Sequence, residues 1–239
     1  MAEPQKLGQI LASTTKMNQV VSKYEREDCP VCGIKRKQIV SIYKTCDVCH
    51  RKEFFAKLPL EQQEAFISEI VRPRYTAALP EQISEGLWKQ LIGAADKGVY
   101  LWGKTGVGKT YALAALGRTF IYDGFVVKKI SFEKLCLIIR DTFRPDSGRS
   151  TWEVIEPYIE CDKLILEDVS VAISPGKQES DFSLRTLLVI LDERSEEWKA
   201  TFITGNKPPS ELTKAFDERI TSRLKQGEII RVTGEDRRA

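Results

Sequence analysis

Gly103, Lys104, Thr105, Gly106, Val107, Gly108, Lys109 and Thr110 follow the pattern GxxxxGKT, a spacing whose chemistry is the capture of phosphate. Glycines let the backbone turn so that successive N–H groups face one anion, and the terminal lysine and hydroxyl set a cation and a metal ligand beside it. In that role Lys109 reaches the β- and γ-phosphates, Thr110 holds magnesium, and the cradle runs on through Tyr111 into a helix whose N-terminus also favours negative charge. The rival reading is a glycine-rich surface turn. The flanks argue against it: Val99-Tyr100-Leu101-Trp102 reads as a strand, and the stretch from Tyr111 to Leu116 has helix-forming composition.

A second chemistry is written in four of the six cysteines. Cys29 and Cys32 make one CxxC pair, Cys46 and Cys49 another, with thirteen residues between the pairs. Each pair supplies two thiolates from a tight turn, and the intervening length suits a hairpin that closes them around a tetrahedral zinc ion. A redox CxxC would open a helix in a thioredoxin-like fold, which the surrounding sequence does not resemble. His50 reads as a surface histidine beside an already complete site, and Cys136 and Cys161 as single buried thiols.

The 239 residues carry a net charge of +3 and 42% hydrophobic side chains, enough for one sizeable core with a small module beside it. No apolar run approaches a membrane span, and the N-terminus has no continuous apolar segment of the secretory kind; the expectation is a cytoplasmic protein. Charge is uneven, with 13 Lys/Arg against 9 Asp/Glu in residues 1–74, which favours nucleic acid or an acidic protein surface as a partner of that part. Apolar residues from Leu7 to Tyr24 and from Leu58 to Val71 follow helical spacing, and Arg72-Pro73-Arg74 marks the expected boundary. The chain therefore divides into a zinc-binding, partner-interaction module over 1–74, which depends on metal to fold, and a nucleotide-binding domain over 75–239.

Downstream, Phe125-Val126-Val127 begins a strand and Phe132 to Phe143 a helix. Leu164-Ile165-Leu166 is an apolar strand ending in Glu167 and Asp168, where carboxylates can meet the magnesium shell and an attacking water. A helix over 184–197, a strand Thr201–Thr204 ending near Asn206, and a helix over 209–224 with Arg219 and Arg223 on one face complete the series. An amide such as Asn206 hydrogen-bonds a terminal phosphate or water, and an arginine such as Arg223 stabilises transferred phosphate charge.

On the strings GVYLWGKTGVGKTYALAAL, LILED, ILDERSEEWKATFITGN, DERITSRL and TGEDRR, covering residues about 85–239, the chain resembles the AAA+ ATPases of the DnaC/DnaI-type helicase loader family and their IstB-like relatives. The resemblance implies a three-layer α/β/α AAA+ domain with a parallel sheet, preceded by a zinc-ribbon-like module with flanking helices. It assigns the sensor 1 role to Asn206, the arginine finger to Arg223, and a sensor 2-like contact to Arg238, with Arg237 as the alternative. It also implies ATP and magnesium as ligands, an ATP-dependent homo-oligomer, and a hexameric replicative helicase gripped by the N-terminal module and placed on single-stranded DNA. Lys128, Lys129, Lys134, Arg140 and Arg144 lie where related initiators present a DNA-contacting helix. Here Glu167 precedes Asp168, so the longer acid stands at the metal position and the shorter at that of the water-activating base, which implies either slow hydrolysis or a register shifted by one residue. A transposition-helper ATPase, or a zinc-ribbon binding protein whose ATPase domain only senses nucleotide, would carry the same motifs.

Overall fold

The computed structural model describes residues 29–33, 45–169, 181–215 and 218–236. They fall into two compact units, one reaching to Lys57 and the other beginning at Leu58. In the first, helix α1 (Asp47–Lys57) buries Val48, Cys49 and Phe55. The second CxxC pair thus runs into a helix, where the sequence reading expected only a hairpin knuckle. The hairpin residues 34–44 and the helix expected over 7–24 lie outside the described residues.

The second unit starts earlier than the Arg72-Pro73-Arg74 boundary because of helix α2 (Leu60–Ile70), which buries Ile67 and Ile70. Ile70 packs at a glycine: a Cβ on Gly117 would stand 3.0 Å from both Ile70 and Ile165. That missing side chain lets α2 sit on the loop's own helix. After α2 come helix α3 (Glu85–Gly93), strand β1 (Val99–Trp102) and helix α4 (Lys109–Tyr122). Strand β2 (Val127–Ser131), helices α5 (Phe132–Asp141) and α6 (Thr151–Glu160), and strand β3 (Lys163–Glu167) follow. The chain continues through α7 (Asp181–Glu196), β4 (Thr201–Gly205), α8 (Pro209–Ala215), α9 (Glu218–Leu224) and β5 (Glu228–Arg231).

The strands form one parallel sheet in the order β2-β3-β4-β1-β5. Strands covered on both faces are apolar throughout rather than alternating, and Leu164, Ile165 and Leu166 are all fully buried. Leu164 and Leu166 face a core that also holds Phe132, Leu135, Ile155, Leu187, Ile190 and Ile220, from α5, α6, α7 and α9. Ile165 points the other way, toward Gly117 of α4, and Phe202 of β4 meets Phe120 of α4 with ring centroids 5.1 Å apart. The result is the expected three-layer α/β/α sandwich. The sequence reading missed α3, α6 and β5, and it started β2 two residues early.

Helix α6 begins with a reciprocal cap. The Glu153 N–H donates to the Ser150 hydroxyl at 3.2 Å while the Ser150 N–H donates to the Glu153 carboxylate at 2.7 Å. Its far end is closed by Arg194 of α7, which is fully buried. One guanidinium nitrogen donates to the carbonyls of Tyr158, Ile159 and Cys161 at 2.8–3.0 Å, the other to Ala200 at 2.7 Å, and Nε donates to the Thr201 hydroxyl at 2.9 Å. A single side chain therefore ties the end of α6 to the entrances of β3 and β4. Replacing it orphans several buried carbonyls, each worth about 1–3 kcal/mol when left unmet. Arg194→Leu is expected to lower the unfolding free energy by about 3 kcal/mol or more, read by denaturant titration; a loss under about 1 kcal/mol would show that water replaces the guanidinium.

Candidate functional site

Strand β1 delivers the chain into the glycine loop, and α4 takes it away. Gly106 and Gly108 have φ of 84° and 97°, left-handed values that side chains resist, and they curl the backbone toward the start of α4. Lys109, in the first turn, is buried. Its ammonium donates to the carbonyls of Gly103 and Lys104, both at 2.8 Å, and to Oδ1 of Asn206 at 2.9 Å. Two residues singled out from sequence, 97 positions apart, are thereby joined by one hydrogen bond. Trp102 closes the strand beneath the loop, with the Arg231 guanidinium 5.1 Å from its ring centroid.

Glu167 ends β3 in a buried position and pairs with Lys129 of β2 at 3.2 Å, both side chains almost entirely enclosed. The pair joins the Lys129 ammonium to Oε1 of Glu167, and these two atoms have no further hydrogen-bond partner among the described residues. The Lys129 ammonium also stands 5.5 Å from the centroid of the Tyr75 ring. Burial pushes the Glu167 carboxyl up, and Lys129 opposes that shift. Asp168, just past the strand, is exposed at φ 56°, and its N–H donates to the Thr204 hydroxyl at 2.9 Å. Thr204, buried on β4 and unremarked in the sequence reading, sets the turn that presents Asp168. The acid pair at the C-terminal end of β3, with Asp168 exposed, and the Thr110 hydroxyl at the head of α4 make a donor set whose oxygen chemistry fits magnesium.

Lys129 is a correction to the expected DNA face, because a side chain committed to a buried acid cannot meet a phosphate backbone. Lys134, Arg140 and Arg144 of that set remain exposed. Arg223 is not brought to the loop. It pairs with Asp192 of α7 at 2.5 Å and lines a cleft of about 460 Å³ along the entrances of β1, β4 and β5, beside Trp198. That is the opposite end of the strands from Lys109. Arg237 and Arg238 lie outside the described residues.

A cleft of about 280 Å³ opens next to the loop, between Val107, Gly108 and Ala112 on one side and Ile83, Ser84, Leu87 and Gln90 on the other. Polar groups from Ser84, Gln90, Arg231 and Thr233 outweigh the apolar surface of Ile83, Leu87, Val107 and Ala112, a lining with hydrogen-bonding groups for a heterocycle. The segment ahead of β1 carried no motif in the sequence, and only its placement by the fold reveals it as part of the site.

In the other unit, the Sγ atoms of Cys29, Cys32, Cys46 and Cys49 lie within 4.8 Å of one another, and those of Cys32 and Cys46 are 3.8 Å apart. Tetrahedral zinc with Zn–S bonds near 2.3 Å places its sulfurs about 3.8 Å from each other. The Cys46 N–H donates to the Cys29 sulfur at 3.3 Å, and this bond leads the effects that lower the Cys29 thiol to about 6. Burial raises the thiols of Cys46 and Cys49. The donor set fits zinc.

A loop-bound lysine, an amide and an acid pair at the C-terminal ends of a parallel sheet define a P-loop nucleotide-binding domain. Residues 85–231 match the family described as Bacterial DnaA ATPase domain, and the chain belongs to that family. Similar proteins include the replicative helicase loader DnaC of Escherichia coli (strain K12), 28% identical over 128 residues that make up 54% of this chain and 50% of that protein. The chain spans about half the length of the curated relatives it matches. Among solved structures, AMPPCP-bound DnaA from Aquifex aeolicus aligns with a TM-score of 0.58 at 19% identity, covering 70% of this chain and 53% of that one. A crystal structure of DnaI aligns with a TM-score of 0.55 at 21% identity, covering 71% and 93%.

Two expectations follow. Purified protein should carry one zinc per chain by metal analysis, and the double variant Cys29→Ser with Cys46→Ser should lose it; a metal-free wild type would refute the assignment. Lys129→Met strands a buried carboxylate and should destabilise the fold by about 3–5 kcal/mol, with Glu167→Gln in the same chain recovering most of the loss. Additive effects in that cycle would show that the two side chains do not act as a pair.

Proposed function

We propose that this chain is an ATP-dependent loader of a replicative helicase. The observation that carries the reading is the Lys109–Asn206 bridge, standing in a DnaA-type ATPase domain whose curated matches include helicase loaders. The loop and Lys109 hold the phosphates of ATP, the base enters the cleft beside Val107, and Asn206 senses the terminal phosphate once it replaces the loop carbonyls around Lys109. Thr110 and Glu167 hold magnesium, whose chemistry is to neutralise phosphate charge. Asp168, exposed past the strand, orients water. Its short reach from that position leaves hydrolysis slow, since a displacement of about an ångström costs on the order of 100-fold in rate.

Arg223 acts in a neighbouring subunit. Its place at the far end of the sheet, beyond reach of its own Lys109, supports that role, and subunits then assemble around shared nucleotides. The zinc-bearing module grips the helicase. Exposed Lys134, Arg140 and Arg144, with exposed Leu137, Phe143 and Trp152, lie along α5, the turn that follows it and the start of α6, and cations among aromatic rings suit single-stranded DNA, whose bases stack on the rings.

A loading assay with purified helicase and single-stranded DNA tests this reading. The wild type should stimulate loading only with ATP. Lys109→Ala should lose nucleotide binding and loading while keeping zinc, Arg223→Ala should bind ATP without assembling, and Asp168→Ala should bind ATP and trap the assembly. Stimulation that survives Lys109→Ala, or is absent from the wild type, would overturn the proposal.

A further inference from the structure

The segment leaving β5 runs over the phosphate loop rather than away from it. The Val232 N–H donates to the Trp102 carbonyl at 2.7 Å, so the chain exits the sheet alongside the loop's first residue. The Val232 carbonyl is so near that a Cβ on Gly103 would meet it at 2.2 Å. Thr233 then lines the 280 Å³ cleft with Val107 and Gly108. Three residues on, a Cβ on Gly106 would lie 1.9 Å and 2.5 Å from the two carboxylate oxygens of Asp236. The acid therefore rests directly on the loop, at a position where a φ of 84° already requires glycine.

We propose that Asp236 belongs to the nucleotide site: its carboxylate sits on the phosphate loop at Gly106 and holds nucleotide affinity down until a phosphate chain displaces it. The inference rests on the nucleotide-binding reading given above. A loop whose N–H groups converge on an anion accepts a carboxylate by the same interactions that hold phosphate. One tethered by a few residues competes at high local concentration. When a nucleotide arrives, its phosphates and the Asp236 carboxylate are like charges at one loop, and the tail must yield. Occupancy of the loop is thereby coupled to the position of the segment from Thr233 to Asp236.

The test is calorimetric titration of ATP and of ADP, with magnesium and with a chelator, into the full chain and its Asp236→Asn variant. Asparagine keeps the shape and removes the charge, and Asp236→Ala repeats the measurement should the amide perturb folding, which circular dichroism checks. Both variants should bind each nucleotide about tenfold more tightly, the effect of removing one like charge at close range, and they should do so with or without magnesium. Glu235→Gln, one residue away and exposed, should change the dissociation constant less than about twofold. Equal affinity in wild type and Asp236 variants would overturn the inference and leave the nucleotide reading standing. Weaker magnesium-dependent binding in the variants would overturn it too, by making Asp236 a metal partner. No binding by any of the proteins would overturn both.

Discussion

Taking a positive charge out of water costs several kcal/mol unless the surroundings answer it, and this sheet does so at four places. Arg194, Lys163, Lys129 and Lys109 are all enclosed. Each is answered differently. Arg194 is met by neutral carbonyls at strand entrances, and Lys163 by the Ala95 carbonyl at 2.6 Å, the exposed Asp96 carboxylate at 3.1 Å and the rings of Phe120 and Phe125. Lys129 is met by one acid, and Lys109 by the loop it serves. The first two hold the sheet to its helices at the end away from the loop. The other two stand at the end where the candidate chemistry lies.

That division separates a firm end of the molecule from a responsive one. The carbonyls around Arg194 belong to α6 and to the chain entering β3 and β4, and nothing in the proposed cycle asks them to change partners. The carbonyls around Lys109 are provisional, because a phosphate chain offers the ammonium stronger acceptors. Asn206 accepts from the same nitrogen, which ties the amide at the end of β4 to the position of Lys109. Glu167 stands between the two regimes, its Oε1 engaged by the buried Lys129 ammonium at the end of the sheet where the loop lies.

Much of this was legible before the fold was known, and the reasons are local. GxxxxGKT, the LILED strand and the two CxxC pairs are short segments whose chemistry depends on spacing within a few residues, and all three occur where expected. The parallel three-layer architecture followed from the resemblance to AAA+ ATPases that those strings carry. Legibility failed where the determinant is a partner distant in sequence. Lys129 looked like one more surface cation because Glu167 is brought beside it only by the pairing of β2 with β3. The boundary after α1 was hidden because Gly117, which admits α2, is an ordinary helical glycine until Ile70 is placed against it. The cleft walls at Ile83 and Leu87, and the acid at Asp236, carry no pattern of their own. They become part of the site by where the neighbouring strands deliver them.

The indole under the phosphate loop has a spectroscopic consequence. Trp102 is half-buried, one residue ahead of Gly103 and stacked by the Arg231 cation, while the tail segment hydrogen-bonds its carbonyl through Val232. A stacked cation and a shift in backbone dipoles both alter indole emission, whereas Trp152 and Trp198 are exposed on other elements and the fourth indole, Trp88, is half-buried on α3, which lines the same cleft. The protein thus carries a built-in optical reporter at the mouth of its candidate site, one that responds to loop and tail rearrangement without an attached dye.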